Sequence, residues 1–106
     1  MNPDIFRGKY VLVVDDMEEL TNIICSELKS EGFERVLVAN DGDECLPLLQ
    51  AYGEKIFVMT LNLRMPRMSG FEVMRYLAGA HKQIMAVIMV TGTGDLKVAE
   101  EFLGLG

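Results

Sequence analysis

Closely spaced cysteines, a second histidine and long runs of one residue class are all missing from this sequence, and each absence removes a class of function. Cys25 and Cys45 stand twenty positions apart, which excludes the near pairs of dithiol redox motifs and zinc knuckles. Both are expected to fill the core, where free cysteine behaves as a small hydrophobe. The single histidine, His81, has no partner with which to build a metal centre and reads as a structural residue at a helix end. The 10 basic side chains form no run and are outnumbered by 16 acidic ones, giving a net charge of −6 and a pI near 4.7. This segment therefore offers no track for a nucleic-acid backbone. Its apolar runs, such as residues 84–90, fall far short of the ~20 residues that span a bilayer. Residues 1–10 also lack the apolar centre of a signal peptide. A cytoplasmic protein without a membrane partner is expected, and no repeat or low-complexity stretch complicates that reading.

What remains is a chain of 106 residues, half of them hydrophobic and a quarter charged. One core serves such a length, so residues 1–106 are expected to form a single domain. Eight methionines read as adaptable core filler.

Residues 10–14 form a short apolar, β-branched run that ends abruptly in Asp15 and Asp16, as a strand buried on both faces would. From Met17, the residues Leu20, Ile23, Ile24 and Leu28 recur at helical spacing, with Glu18 and Glu19 at the positive end of the dipole and Gly32 as a stop. A second strand is predicted over 33–39. The turn Asn40-Asp41-Gly42 then leads to a helix over 43–52, which must start late or bend at Pro47. A third strand over 56–61 closes at Asn62. A loop with Pro66 and Gly70 precedes a helix over 71–81, whose shared face holds Val73, Met74, Leu77, Ala78 and His81. Residues 84–90 read as a fourth strand apolar on both faces, and 95–103 as a helix burying Ala99, Phe102 and Leu103. This alternation implies an α/β fold, a doubly wound parallel sheet with right-handed crossovers. In such sheets ligands bind at the carboxyl ends of the strands.

Three strand ends carry polar groups that would converge there: Asp15 with Asp16, Asn62, and Thr91. Adjacent carboxylates repel and gain by sharing a hard divalent cation, so the pair reads as a metal seat. It reads equally well as a helix cap accepting backbone N–H groups.

The strand ending Val13-Val14-Asp15-Asp16, the segment from Asn62 through Met65-Pro66 to Gly70, and Val90-Thr91-Gly92 together resemble the signature regions of response regulator receiver domains of bacterial two-component systems. The likeness extends from about Lys9 to Gly106. It implies a flavodoxin-like (CheY-like) sheet in strand order 2-1-3-4. It also implies a phosphorelay module served by a sensor histidine kinase or phosphotransfer protein and acting on an output domain or downstream protein. In that family an aspartate ending the third strand accepts the phosphoryl group beside Mg²⁺. The resemblance then assigns the metal to Asp15, Asp16 and the backbone carbonyl of Arg64, and the phosphoryl-binding hydroxyl to Thr91. Asn62 falls at the acceptor position and, as a neutral carboxamide, cannot form the acyl phosphate. Phosphotransfer there is expected to be abolished, leaving no catalytic residue and a pseudo-receiver that works by protein contacts.

Loss of one anion beside a cation forfeits about 4 kcal/mol at an effective dielectric of 20, so Mg²⁺ is expected to bind weakly or not at all, with Asn62 a weakened ligand. Relief of repulsion among three carboxylates is expected to stabilise the ion-free fold slightly. Set against the family, the chain ends before a fifth strand and helix. A truncated domain and an exposed apolar fourth strand follow, able to dimerise or exchange elements. Two other readings of the same sheet are a flavodoxin-like nucleotide- or flavin-binding domain and an aspartate-based phosphatase. The first needs a phosphate-cradling loop where Asp15-Asp16-Met17 stands, and the second an Asp-x-Asp pattern.

Overall fold

The computed structural model describes residues 7–80 and 86–90. Its elements run β1 (Tyr10–Val14), α1 (Glu18–Ser30), β2 (Val36–Ala39), α2 (Gly42–Tyr52), β3 (Ile56–Asn62), α3 (Gly70–Ala80) and β4 (Ala86–Val90), with a 3-10 turn, Gly53–Lys55, leading into β3. All strand pairs are parallel and the order is β2-β1-β3-β4, the doubly wound arrangement expected from the alternation of strands and helices. His81, Thr91 and the helix read over 95–103 lie outside the described residues.

The two faces of the sheet are covered by different helices. Leu12, Val14, Met59 and Leu61 meet Cys45 and Leu49 of α2 and Val73 and Leu77 of α3 on one face. Val11, Val13 and Phe57 meet Ile24, Cys25 and Leu28 of α1 on the other. Leu12, Val13, Met59 and Leu61 have no exposed surface, and each large apolar side chain so buried stabilises the fold by about 1.5–3 kcal/mol.

Several local expectations are corrected. β2 begins at Val36 rather than at residue 33, because Phe33 is used elsewhere. β3 carries one extra residue against β1, since Tyr10 pairs with Ile56 and Val11 with Val58. The intervening Phe57 turns its ring onto that of Phe33, 5.8 Å away between centroids. On α1 the covered stripe is Thr21, Ile24, Cys25 and Leu28, spaced at i, i+3, i+4 and i+7. Ile23 falls off that stripe and is 61% exposed. Cys25 is half-buried rather than core, whereas Cys45 is fully buried and its thiol is pushed up to about 12 by desolvation. On α3 the buried stripe is Gly70, Val73 and Leu77, which leaves Ala78 in solvent. β4 is the outer strand of the described sheet, and its Ala86 and Ile88 are exposed rather than covered on both faces.

Pro47 neither delays nor ends α2, which starts at Gly42 and runs through it. The proline ring points outward. The hydrogen bond it forfeits would have ended on the Asp43 carbonyl, in an exposed first turn where water can substitute. Pro47→Ala supplies that bond and is expected to raise the unfolding free energy by up to about 3 kcal/mol, measured as a higher midpoint in urea; an unchanged midpoint would show that the turn is already fully relaxed.

Candidate functional site

Asp15 follows directly on β1 and remains buried, 1% exposed, while Asp16 faces solvent. The Asp15 backbone N–H donates to the Ala39 carbonyl at 3.1 Å, extending the sheet by one residue and fixing where the side chain starts. Its Oδ1 accepts the Met17 N–H at 2.9 Å, while Met17, the N-cap of α1, supplies no side-chain cap of its own. Asp15 thus does part of the work of a cap. Its other oxygen, Oδ2, is buried without a hydrogen-bond partner.

Asn62, the last residue of β3, reaches across to this pair. Its Nδ2 donates to Asp16 Oδ1 at 2.9 Å, to Asp15 Oδ1 at 3.3 Å and to the Arg64 carbonyl at 3.1 Å, while its Oδ1 accepts the Arg64 N–H at 3.2 Å. These partners fix the amide's orientation, because the reversed side chain would set oxygen against three oxygens and NH₂ against an N–H. The structure therefore brings Asp15, Asp16, Asn62 and the Arg64 carbonyl together. An open hollow of about 410 Å³, lined by Asp16, Leu63, Arg64, Met65, Pro66, Ser69 and Phe71, adjoins them.

The loop after β3 is held by groups whose role the sequence reading did not find. Asp41, fully buried, accepts the Met68 N–H at 2.7 Å, the Gly42 N–H at 2.8 Å and the Arg67 N–H at 3.2 Å. It caps α2 and ties the loop to it with one carboxylate. Outside this tie the Arg67 guanidinium grips Asp43 through two bonds, at 2.8 and 3.1 Å, and Glu44 at 2.8 Å. That hydrogen bonding holds the Asp43 carboxyl below its usual 3.8. A lowered carboxyl favours the folded state above the unfolded-state value, and the contribution fades as acid protonates the folded group. At its far end the loop closes on Gly70, whose N–H donates to the Leu63 carbonyl at 3.0 Å. A Cβ there would lie 2.5 Å from the Asn62 carbonyl oxygen, so only glycine fits. The Asp41-Gly42 pair ahead of a helix was a legible cap signal; its reach to residues 67 and 68 was not.

The donor set decides whether Mg²⁺ fits this arrangement. Two carboxylates and a carbonyl suit a hard cation, and the unpartnered Asp15 Oδ2 would welcome one. The amide nitrogen, however, already lies between them, and an N–H donor is no metal ligand. No group of three or more His, Cys, Asp or Glu able to hold a metal occurs among the described residues. As arranged, the residues do not fit a resident ion.

A parallel sheet in this order, with paired acids at one strand end and a Met-Pro loop at the next, defines a class. Residues 11–106 match the response regulator receiver domain family, and the chain belongs to it. It is 37% identical over 85 residues to the transcriptional regulatory protein CpxR of Escherichia coli, an alignment covering 80% of this chain and 34% of that protein. The chain thus spans about a third of the length of such curated relatives. A crystallised receiver domain protein from Clostridium thermocellum is 31% identical with a TM-score of 0.78, covering 92% of this chain and 76% of its own. The receiver domain of the histidine kinase CKI1 from Arabidopsis thaliana, solved with Mg²⁺ and BeF₃⁻, shares the fold at 24% identity and a TM-score of 0.72, covering 95% of this chain and 80% of its own. No described helix is long and apolar enough to cross a membrane.

Replacing Asp41 by Ala removes a cap worth about 0.5–2 kcal/mol and strands two further backbone donors of the loop. A loss of about 2–4 kcal/mol is expected in urea denaturation, with a smaller loss for Asp41→Asn, which keeps one acceptor oxygen; equal stability of all three proteins would contradict the role given to this carboxylate.

Proposed function

We propose that this receiver is a two-component signalling module that takes no phosphoryl group at residue 62 and acts through protein contacts rather than as an enzyme. The observation that carries the reading is Asn62 at the end of β3, hydrogen-bonded to Asp15, Asp16 and the Arg64 carbonyl, where the family's resemblance puts the acceptor carboxylate. A carboxamide has no anionic oxygen to attack phosphorus, and its nitrogen is committed to three acceptors. Mg²⁺ binds weakly or not at all, since the site lacks the third anion. The partners in this reading are a sensor histidine kinase or phosphotransfer protein and an output domain or downstream protein, in the cytoplasm, with no direct contact to nucleic acid or membrane. Asp15, Asp16 and Arg64 form the remnant metal site, and Thr91 stands where the family resemblance puts the phosphoryl-binding hydroxyl. The flavin-binding reading gains no support from a loop in which a buried carboxylate, Asp15, stands where a phosphate cradle is needed, and the phosphatase reading lacks its Asp-x-Asp pattern, since Met17 follows Asp15-Asp16.

Among the described residues β4 pairs with β3 alone, so its other edge is offered to a further strand, from the same polypeptide or a second copy. Light scattering after size exclusion is expected to show this chain associating as concentration rises; a monomer at every concentration would argue against self-pairing.

The chemical claim is tested with acetyl phosphate or beryllofluoride in the presence of Mg²⁺. Intact-mass and fluorine NMR measurements are expected to show no adduct on the protein as it stands and an adduct on Asn62→Asp. An adduct on residue 62 of the unaltered chain would end the proposal.

A further inference from the structure

The Asn62 amide sits at a particular point among its neighbours. Its nitrogen is 2.9 Å from Asp16 Oδ1, 3.3 Å from Asp15 Oδ1 and 3.1 Å from the Arg64 carbonyl oxygen, the same three groups that the receiver resemblance gives to a divalent cation. The nitrogen carries two polarised N–H bonds, so it presents partial positive charge to two carboxylates, and hydrogen bonds to ionised acceptors are roughly twice as strong as neutral ones. The opposite end of the amide is pinned by the Arg64 N–H at 3.2 Å. Turning the group over to offer an oxygen would break all four contacts. A Mg²⁺ drawing the same oxygens to about 2.0–2.1 Å would compete with the nitrogen for all three of them.

We propose that the Asn62 amide is a built-in substitute for the divalent cation, a plug that balances Asp15 and Asp16 and keeps the ion out. This rests on the receiver reading of the strand ends and goes beyond it, because a weakened ligand and a plug predict opposite responses to losing the side chain. If Asn62 were merely a poor ligand, removing it would weaken the ion further. For a plug, removal opens a space walled by two carboxylates and a carbonyl, with the unpartnered Asp15 Oδ2 beside it, and the ion binds better with fewer protein ligands.

The test is the Mg²⁺ affinity of the unaltered protein, Asn62→Ala and Asn62→Asp, measured by calorimetry and by the backbone amide shifts of Asp16 and Met17. Asn62→Ala is expected to bind Mg²⁺ about tenfold more tightly than the unaltered protein, because the hydrogen bonds to charged acceptors no longer have to be broken first. Asn62→Asp is expected to bind more tightly still. Equal or weaker binding by a folded Asn62→Ala overturns the plug. A second measurement needs no variant: the Asn62 side-chain NH₂ protons are expected to exchange slowly with solvent and to keep their shifts when Mg²⁺ is added, and fast exchange like that of a free amide overturns the proposal too. The two readings fail separately. A phosphodonor adduct on the unaltered chain defeats the functional reading, whereas the order of Mg²⁺ affinities bears only on the plug.

Discussion

The buried carboxylate of Asp41 fixes where the loop after β3 can be. Three backbone N–H groups from two segments far apart in sequence converge on its two oxygens. Such a group is costly to bury unless its lone pairs are filled, and here the filling is done by a helix start and by the loop that follows β3. The loop therefore has little freedom, and the Arg64 carbonyl it carries accepts a hydrogen bond from Asn62. Arg67 adds a second hold on the same helix from outside, through exposed ion pairs that contribute little stability individually but share one geometry.

Much of this was legible from pattern alone, because a parallel sheet buried on both faces writes itself as apolar runs with abrupt polar ends. The end of β1 at Val14 and the polar residue closing β3 were both readable for that reason, and so was the amphipathic α1. The misreadings have common causes. Ile23 and Ala78 look like core because an apolar residue is cheap to leave on a surface, so its presence at roughly the right spacing proves little. Phe33 looks like strand because aromatic residues favour strands; its ring is instead spent on Phe57, which is turned toward it by a bulge that no sequence pattern announces. Pro47 looks like a break, yet near an exposed first turn the missing bond is replaceable.

At the site, residue identities were legible and their roles were divided. The acidic pair was readable as either a metal seat or a cap, and in the structure Asp15 does a cap's work with one oxygen at the start of α1 while the other is left without a hydrogen-bond partner. The direction in which the Asn62 amide points could not be read from sequence, since it depends on what the residue two positions later does with both its N–H and its carbonyl. Asn differs from Asp here by more than lost charge. It can donate and accept at once, so it satisfies a ring of oxygens that a carboxylate could only repel.

Gly70 gives this local arrangement a longer reach. With no side chain between them, the first turn of α3 rests directly on the backbone of the last residue of β3. The strand end and the helix are in that sense in backbone contact beside the acidic pair. A side chain at residue 70 would push the two apart, so the closeness of strand end and helix depends on that one missing Cβ.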